Sequence, residues 1–258
     1  MKTAFITGAT SGIGLAFASK LSAMGYSLIL HGRCKEKLAT LQSQLGGVVA
    51  TICLDLSQPS LHRELIKQLS QYENNIDIVI NNAGFGLHGA HTDLTSTEVH
   101  AMISVNILAL THLSEYFAKR MTQQGGGYIL NVASTVAYQP QPFMAAYAAS
   151  KAYVASFTEA LAMEVKHKGV IVTCLSPGRT DTGFFTFDGD DSSRKGKGTF
   201  SEKYRASSEK VASLGIKALF NGKYRENPFL ENKFYVFLNR ILPKNTLLNI
   251  YSRAMKNI

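Results

Sequence analysis

A serine, a tyrosine and a lysine near the middle of this 258-residue chain have the types and spacing that proton transfer needs. Ser134 closes the run YILNVAS, Tyr147 follows within AAYAASK, and Lys151 stands four residues further on. Tyrosine and lysine at i and i+4 share one helix face. An ammonium a few ångströms from a phenol favours the phenolate, so the spacing predicts a Tyr147 pKa below the ordinary value of about 10. A phenol tuned in this way gives or takes a proton near neutral pH. Such a pair is common on ordinary helices. Its weight here comes from Ser134 and from a second group of residues at the start of the chain.

That second group is FITGATSGIG, with Gly8, Gly12 and Gly14. Glycine inside a helix costs roughly 1 kcal/mol relative to alanine, so three so close together imply that something approaches the backbone. At the end of a strand and the start of a helix, exposed N–H groups and the helix dipole suit a phosphate. Gly8 permits the tight turn, Gly12 the approach of a pyrophosphate and Gly14 close helix–strand packing. A plain turn is the alternative. The second strand ends in HGR, where an NAD site usually offers a carboxylate to the ribose 2′-hydroxyl. Arg33, with Lys37 one turn later, instead suits a 2′-phosphate and favours NADP(H), unless Arg33 is merely a solvated residue after a strand. Asp55, in CLDLS, is placed either to accept from an adenine amino group or to cap the helix near Gln58. Asn82, Ala83 and Gly84, in the NNAG run, suit a backbone lying beside a cofactor ribose, or a simple turn.

The elements that must position these residues alternate along the chain. Apolar, strand-like runs occur at Thr3–Thr7, Ser27–His31, Val48–Leu54, Ile76–Asn81, Gly127–Val132 and Val170–Leu175. Helical patterns lie near 12–24, 35–45, 58–72, 96–123, 147–168 and 207–221. The strands are continuous apolar runs, as expected when helices cover both faces of a parallel sheet. The expected fold is therefore α/β: a doubly wound, Rossmann-type parallel sheet with helices on both faces. Residues 1–222 form the single nucleotide-binding and catalytic domain, including a substrate loop at 180–204, and residues 223–258 a helical extension. Ser134 falls at the carboxyl edge of the sheet, where open α/β sheets bind ligands.

Together TGATSGIG, NNAG, Ser134, YAASK and the SPG of residues 176–178 resemble the compact single-domain branch of the short-chain dehydrogenase/reductase family. The similarity runs from about Lys2 to Thr182, with the motifs in the family's order and spacing. It implies a hydride transfer between the nicotinamide of NADP(H) and a carbonyl or secondary alcohol. Ser134 would bond the substrate oxygen, Tyr147 act as general acid/base, and Lys151 bind the nicotinamide ribose while assisting Tyr147. Asn106, in ISVNIL, would hold a water in the proton relay; read without the resemblance it is equally an ordinary mid-helix residue. The resemblance also assigns cofactor contacts to Gly8, Thr10, Ser11, Gly12, Ile13 and Gly14, and, beside the nicotinamide, to Pro177, Gly178, Thr180 and Thr182. It implies a homodimer or homotetramer. An NADP-binding regulator without turnover is the competing reading, but Ser134, Tyr147 and Lys151 are all present.

Composition sets further bounds. Residues 1–193 carry 13 Lys/Arg against 14 Asp/Glu, and residues 194–258 carry 14 against 4, so the net charge of +9 resides in the last quarter. No nucleic-acid-binding module accompanies that charge. Three cysteines without metal spacing point to a cytoplasmic protein with no metal site; Cys53 and Cys174, in apolar runs, are expected to be buried. Met1 leads directly into the first strand, so no signal peptide is expected. Phe184, Phe185 and Phe187 in the substrate loop suggest an apolar or acyl substrate, or else belong to the core. The tail resembles that of reductases with basic C-terminal extensions. Leu230, Phe234, Phe237, Leu238 and Ile241, and after Pro243 Leu247, Leu248, Tyr251, Met255 and Ile258, recur at helical spacing. Two short amphipathic helices are predicted, either packed over the substrate cleft or a partner subunit, or lying on an anionic membrane surface.

Overall fold

The structure is a computed structural model and describes residues 2–181 and 206–256. The six apolar runs become strands: β1 (Thr3–Ile6), β2 (Ser27–Gly32), β3 (Val48–Cys53), β4 (Ile76–Asn81), β5 (Gly127–Val132) and β6 (Val170–Leu175). A seventh strand, β7 (Arg225–Glu226), pairs with β6 through Cys174↔Arg225 and Leu175↔Glu226. No strand pattern announces it, because it is two charged residues long. Its anchor is tertiary: the Arg225 guanidinium grips the Glu159 carboxylate with two bonds of 2.5 Å.

All seven strands are parallel, in the order β3-β2-β1-β4-β5-β6-β7. Alternate side chains along each strand feed opposite faces. Ala4 and Ile6 of β1 pack with Phe17 and Leu21 of α1 (Gly12–Ala23) and Ile216 of α7 (Ser208–Phe220). Phe5, between them, packs on the other face with Leu65 of α3 (Ser60–Leu69), Phe117 of α5 (Leu110–Gln123) and Val165 of α6 (Ala145–Val165). Helix α2 (Lys35–Gln44) adds Leu38 and Leu41 to the first face. This two-sided burial is why the strands read as continuous apolar runs.

Because β1 lies between β2 and β4, the chain runs outward on one side of β1 and resumes on the other. The carboxyl ends of β1 and β4 therefore flank a topological switch point, where such sheets bind ligands.

Two elements differ from expectation. The helix predicted over 96–123 is α4 (Ser96–Ile103) and α5, joined by a π-helical stretch at Ser104–Ala109. Such a bulge leaves the apolar periodicity nearly intact and so is invisible in sequence. In the tail, α8 (Leu230–Ile241) and α9 (Lys244–Lys256) flank Pro243 as predicted. Helix α9 buries Leu247, Tyr251 and Met255, whereas the apolar face of α8 points outward, with Phe234 62% and Ile241 60% exposed. Helix α8 is held instead by polar side chains described below. Cys174 is buried, but Cys53 is exposed, since β3 is the edge strand. Among the described residues, no helix is long and apolar enough to cross a membrane, and no His/Cys/Asp/Glu cluster suits a metal.

Candidate active site at the carboxyl edge of the sheet

The glycine turn after β1 is built by close contacts. Gly8 has φ +64°, and a Cβ there would lie 2.9 Å from the Ala83 Cα. Gly14 is packed so tightly that a Cβ would lie 2.5 Å from the Asn82 Nδ2. Asn82 is the clamp. Its Nδ2 donates to the carbonyls of Thr7 and Gly8, each at 3.1 Å, and the Thr7 hydroxyl accepts from the backbone N–H groups of Asn82 and Ala83 at 3.0 Å. Sequence reasoning missed Thr7, whose signal is a hydroxyl ending an apolar strand. It also missed His31, which lies buried under the turn; Gly8 N–H donates to Nδ1 at 3.5 Å, and Nε2 donates to the Leu54 carbonyl at 3.1 Å. Burial pushes the His31 pKa down to about 4, so it is neutral at pH 7.

Helix α1 opens at this turn with its N–H groups free of side-chain capping by Ser11 and with no acidic residue in its first turn. Ser11 is exposed, Thr10, Gly12 and Ile13 are half-buried, and Thr10 lies against Gly32 at the end of β2. Arg33 follows, exposed, as is Lys37. Asp55 uses Oδ1 to accept from Ser57 N–H at 3.0 Å; it caps the turn that precedes α3 rather than the helix itself.

The second group of residues converges on the same edge. Ser134 begins the short 3-10 turn after β5. Tyr147 and Lys151 lie on one face of α6, both buried, with the ammonium 5.9 Å from the centre of the phenol ring. Lys151 Nζ donates to the Val132 carbonyl at 2.9 Å, and a Cβ at Gly84 would stand 3.3 Å from it. Gly84 thus leaves room for the lysine.

The electrostatics overturn one expectation. Tyr147 has its pKa pushed up to about 12, not down, because burial penalises the phenolate more than its hydrogen bond with Ser134 relieves it. Burial likewise lowers Lys151, to about 8. At 5.9 Å from the ring centre, the ammonium does not offset the cost of taking both groups out of water.

Asn106 sits in the π-helical stretch, fully buried. Its Oδ1 accepts from Phe85 N–H at 3.1 Å, and its Nδ2 donates to the Phe85 carbonyl at 2.9 Å and to the Ser150 hydroxyl at 3.1 Å. Ser150 in turn donates to the Tyr147 carbonyl at 2.7 Å. Asn106 therefore joins the segment after NNAG to the helix bearing Tyr147.

Pro177 follows β6, its carbonyl accepting from Thr135 N–H at 2.9 Å, next to Ser134. The Thr180 hydroxyl donates to the Gly178 carbonyl, and Thr180 bridges to Ala206. Thr182 and the three loop phenylalanines lie outside the described residues.

The tail completes the wall. Met255 of α9 shares an apolar cluster with Tyr147, Leu87, Met102 and Met144. Gln139, in the segment after Ser134, donates to the Tyr235 hydroxyl at 2.6 Å and accepts from Asn239 of α8. A Cβ at Gly178 would fall 2.8 Å from the Asn232 Nδ2, so α8 covers this glycine. The edge thus offers a proton donor, a second hydroxyl, an ammonium, a glycine turn with uncapped helix N–H groups and an apolar cluster.

Comparison with known proteins bears on the family and the fold. A family model described as short chain dehydrogenase matches residues 2–192. An uncharacterized oxidoreductase of Staphylococcus epidermidis is 36% identical over 181 residues, covering 70% of this chain and 79% of its own. One of Staphylococcus aureus is 37% identical over 182 residues, with the same coverage. Among solved structures, a short-chain dehydrogenase from Sphingobium yanoikuyae in complex with NADPH superimposes with a TM-score of 0.80 at 27% identity, covering 100% of this chain and 96% of that one.

Proposed function

Since the chain belongs to the short-chain dehydrogenase family, an oxidoreductase family, we propose that it is an NADP(H)-dependent reductase of apolar or acyl carbonyl compounds, reversible toward the secondary alcohol. The carrying observation is the convergence of Tyr147, Lys151 and Ser134 on the sheet edge that also bears the glycine turn.

The residues present fit the cofactor. At Gly8 and Gly14 a Cβ would collide with neighbours, which holds the turn close and its backbone open, and the first N–H groups of α1 lack side-chain caps. We assign the pyrophosphate to this turn, Gly8 to Gly14 with Thr10, Ser11 and Ile13. Arg33 is assigned to the 2′-phosphate, Asp55 to the adenine, and Asn82–Gly84, Lys151 and Pro177–Thr182 to the nicotinamide half. The dinucleotide, when bound, supplies or accepts the hydride.

The chain's own residues handle the oxygen and its proton. The Ser134 hydroxyl and the Tyr147 phenol, which bond each other, present two O–H groups to a substrate oxygen. As negative charge grows on that oxygen, Ser134 stabilises it and Tyr147 gives up its proton. A phenol with a pKa near 12 holds that proton at pH 7, which is the form carbonyl reduction consumes. Lys151, anchored on the Val132 carbonyl, keeps a positive charge near the phenolate that results. Asn106 keeps α6 and the Phe85 segment in register and is assigned the relay water. Leu87, Met144 and Met255 beside Tyr147 support an apolar substrate. A homodimer or homotetramer is part of this proposal.

The test is oxidation of NADPH, with NADH in parallel, across ketones, diketones and 3-oxoacyl thioesters. Turnover with NADPH is the expected result. Tight NADPH binding with no turnover of any carbonyl would instead assign a regulator on the same fold.

A further inference from the structure

Helix α8 wears its polarity inside out. Its inner face is polar: Asn239 and Tyr235 bond Gln139, and Asn232 donates to the Pro228 carbonyl over Gly178. Its outer face is apolar. Leu230, Phe234, Phe237 and Ile241 recur at i, i+4, i+7 and i+11, one stripe of the helix, with exposures of 81, 62, 56 and 60%. Single exposed apolar side chains are ordinary, but a row of them along one helix marks a surface that meets something.

Charge identifies what it meets. Residues 230–258 carry five Lys/Arg and a single acidic residue, Glu231. Lys233 and Arg240 fall on one flank of the stripe by helical spacing; Lys233 is paired with the Glu226 carboxylate at 3.1 Å, while Arg240 is exposed, and exposed Lys244 opens α9. Antiparallel pairing with a second copy would set the same basic flanks against each other. An anionic lipid surface takes the apolar stripe among its acyl chains and neutralises the basic flank with its headgroups.

We propose that α8 is a docking helix for an anionic lipid surface, with Leu230, Phe234, Phe237 and Ile241 entering the headgroup boundary and Arg240 and Lys244 contacting the phosphates. The inner face of α8 rests on Gln139, in the segment that follows Ser134, so docking sets the candidate active site about one helix diameter, roughly 10 Å, from the lipid. This inference stands on the surface of α8 and does not depend on the enzymatic reading.

The experiment is flotation of the full-length protein with vesicles of phosphatidylcholine alone or with about one-third phosphatidylglycerol, at low and high salt. Wild type is expected to float with the anionic vesicles only, and less as salt rises. Phe234→Ser/Phe237→Ser is expected to lose about ten-fold or more of this binding while keeping its melting temperature, because both rings are exposed. Arg240→Gln/Lys244→Gln is expected to weaken binding and flatten its salt dependence. Absence of flotation with anionic vesicles at low salt overturns the proposal, as does equal flotation of the double-serine variant. A wild-type dimer in sedimentation that this variant converts to monomer, without lipid binding by either, overturns it in favour of a second copy.

Discussion

Asn82 ties the end of β4 to the turn after β1: its side-chain amide donates to the carbonyls of both Thr7 and Gly8 at 3.1 Å. Both bonds are part-buried, and losing such a hydrogen bond costs about 1 kcal/mol. Asn82→Ala is therefore expected to lower stability by about that amount and to weaken dinucleotide binding, since the turn loses its clamp. Thermal unfolding and fluorescence titration with NADPH check this; unchanged affinity would remove Asn82 from the positioning of the turn.

Tyr147 is expected to matter for chemistry and hardly at all for cofactor affinity. Its proton is needed only as charge develops on the substrate oxygen. Tyr147→Phe should abolish turnover while NADPH affinity stays within a few-fold. A variant that kept a substantial fraction of wild-type kcat would show that another group supplies the proton.

Cofactor preference tests Arg33, which stands exposed at the end of β2. A charge-assisted hydrogen bond contributes about 1.5–3 kcal/mol, so Arg33→Ala should weaken NADPH binding by about ten-fold or more and leave NADH nearly unchanged. Equal losses for the two dinucleotides would exclude a 2′-phosphate contact.

His31 makes stability depend on pH. Its pKa falls from an ordinary 6.5 to about 4, chiefly through burial. Between those values the unfolded chain binds a proton that the native protein does not, so acidification favours unfolding. The His31 contribution is complete above pH 6.5, declines by about 3 kcal/mol as pH falls toward 4, and then levels off. Urea unfolding of wild type and His31→Asn between pH 7 and 4 should give a steeper decline for wild type; parallel curves would mean that His31 titrates normally.

Much of this protein is local in origin and hence readable in one dimension. The six strands, the glycine turn, the α6 face shared by Tyr147 and Lys151 and the break at Pro243 each follow from side-chain types at short spacing, because period and backbone sterics act over a few residues. The family likewise follows from motifs in order. What remained hidden depends on residues distant in sequence. The two residues of β7 become a strand through tertiary contacts: backbone pairing with β6 and the grip of Arg225 on Glu159. The Tyr147 pKa rises because burial is a property of the packed molecule, and spacing to Lys151 says nothing of desolvation. The apolar stripe of α8 was plain in the sequence, but its direction was not. Periodicity defines a face, and tertiary bonds such as those from α8 to Gln139 and Tyr251 turn that face away from the protein.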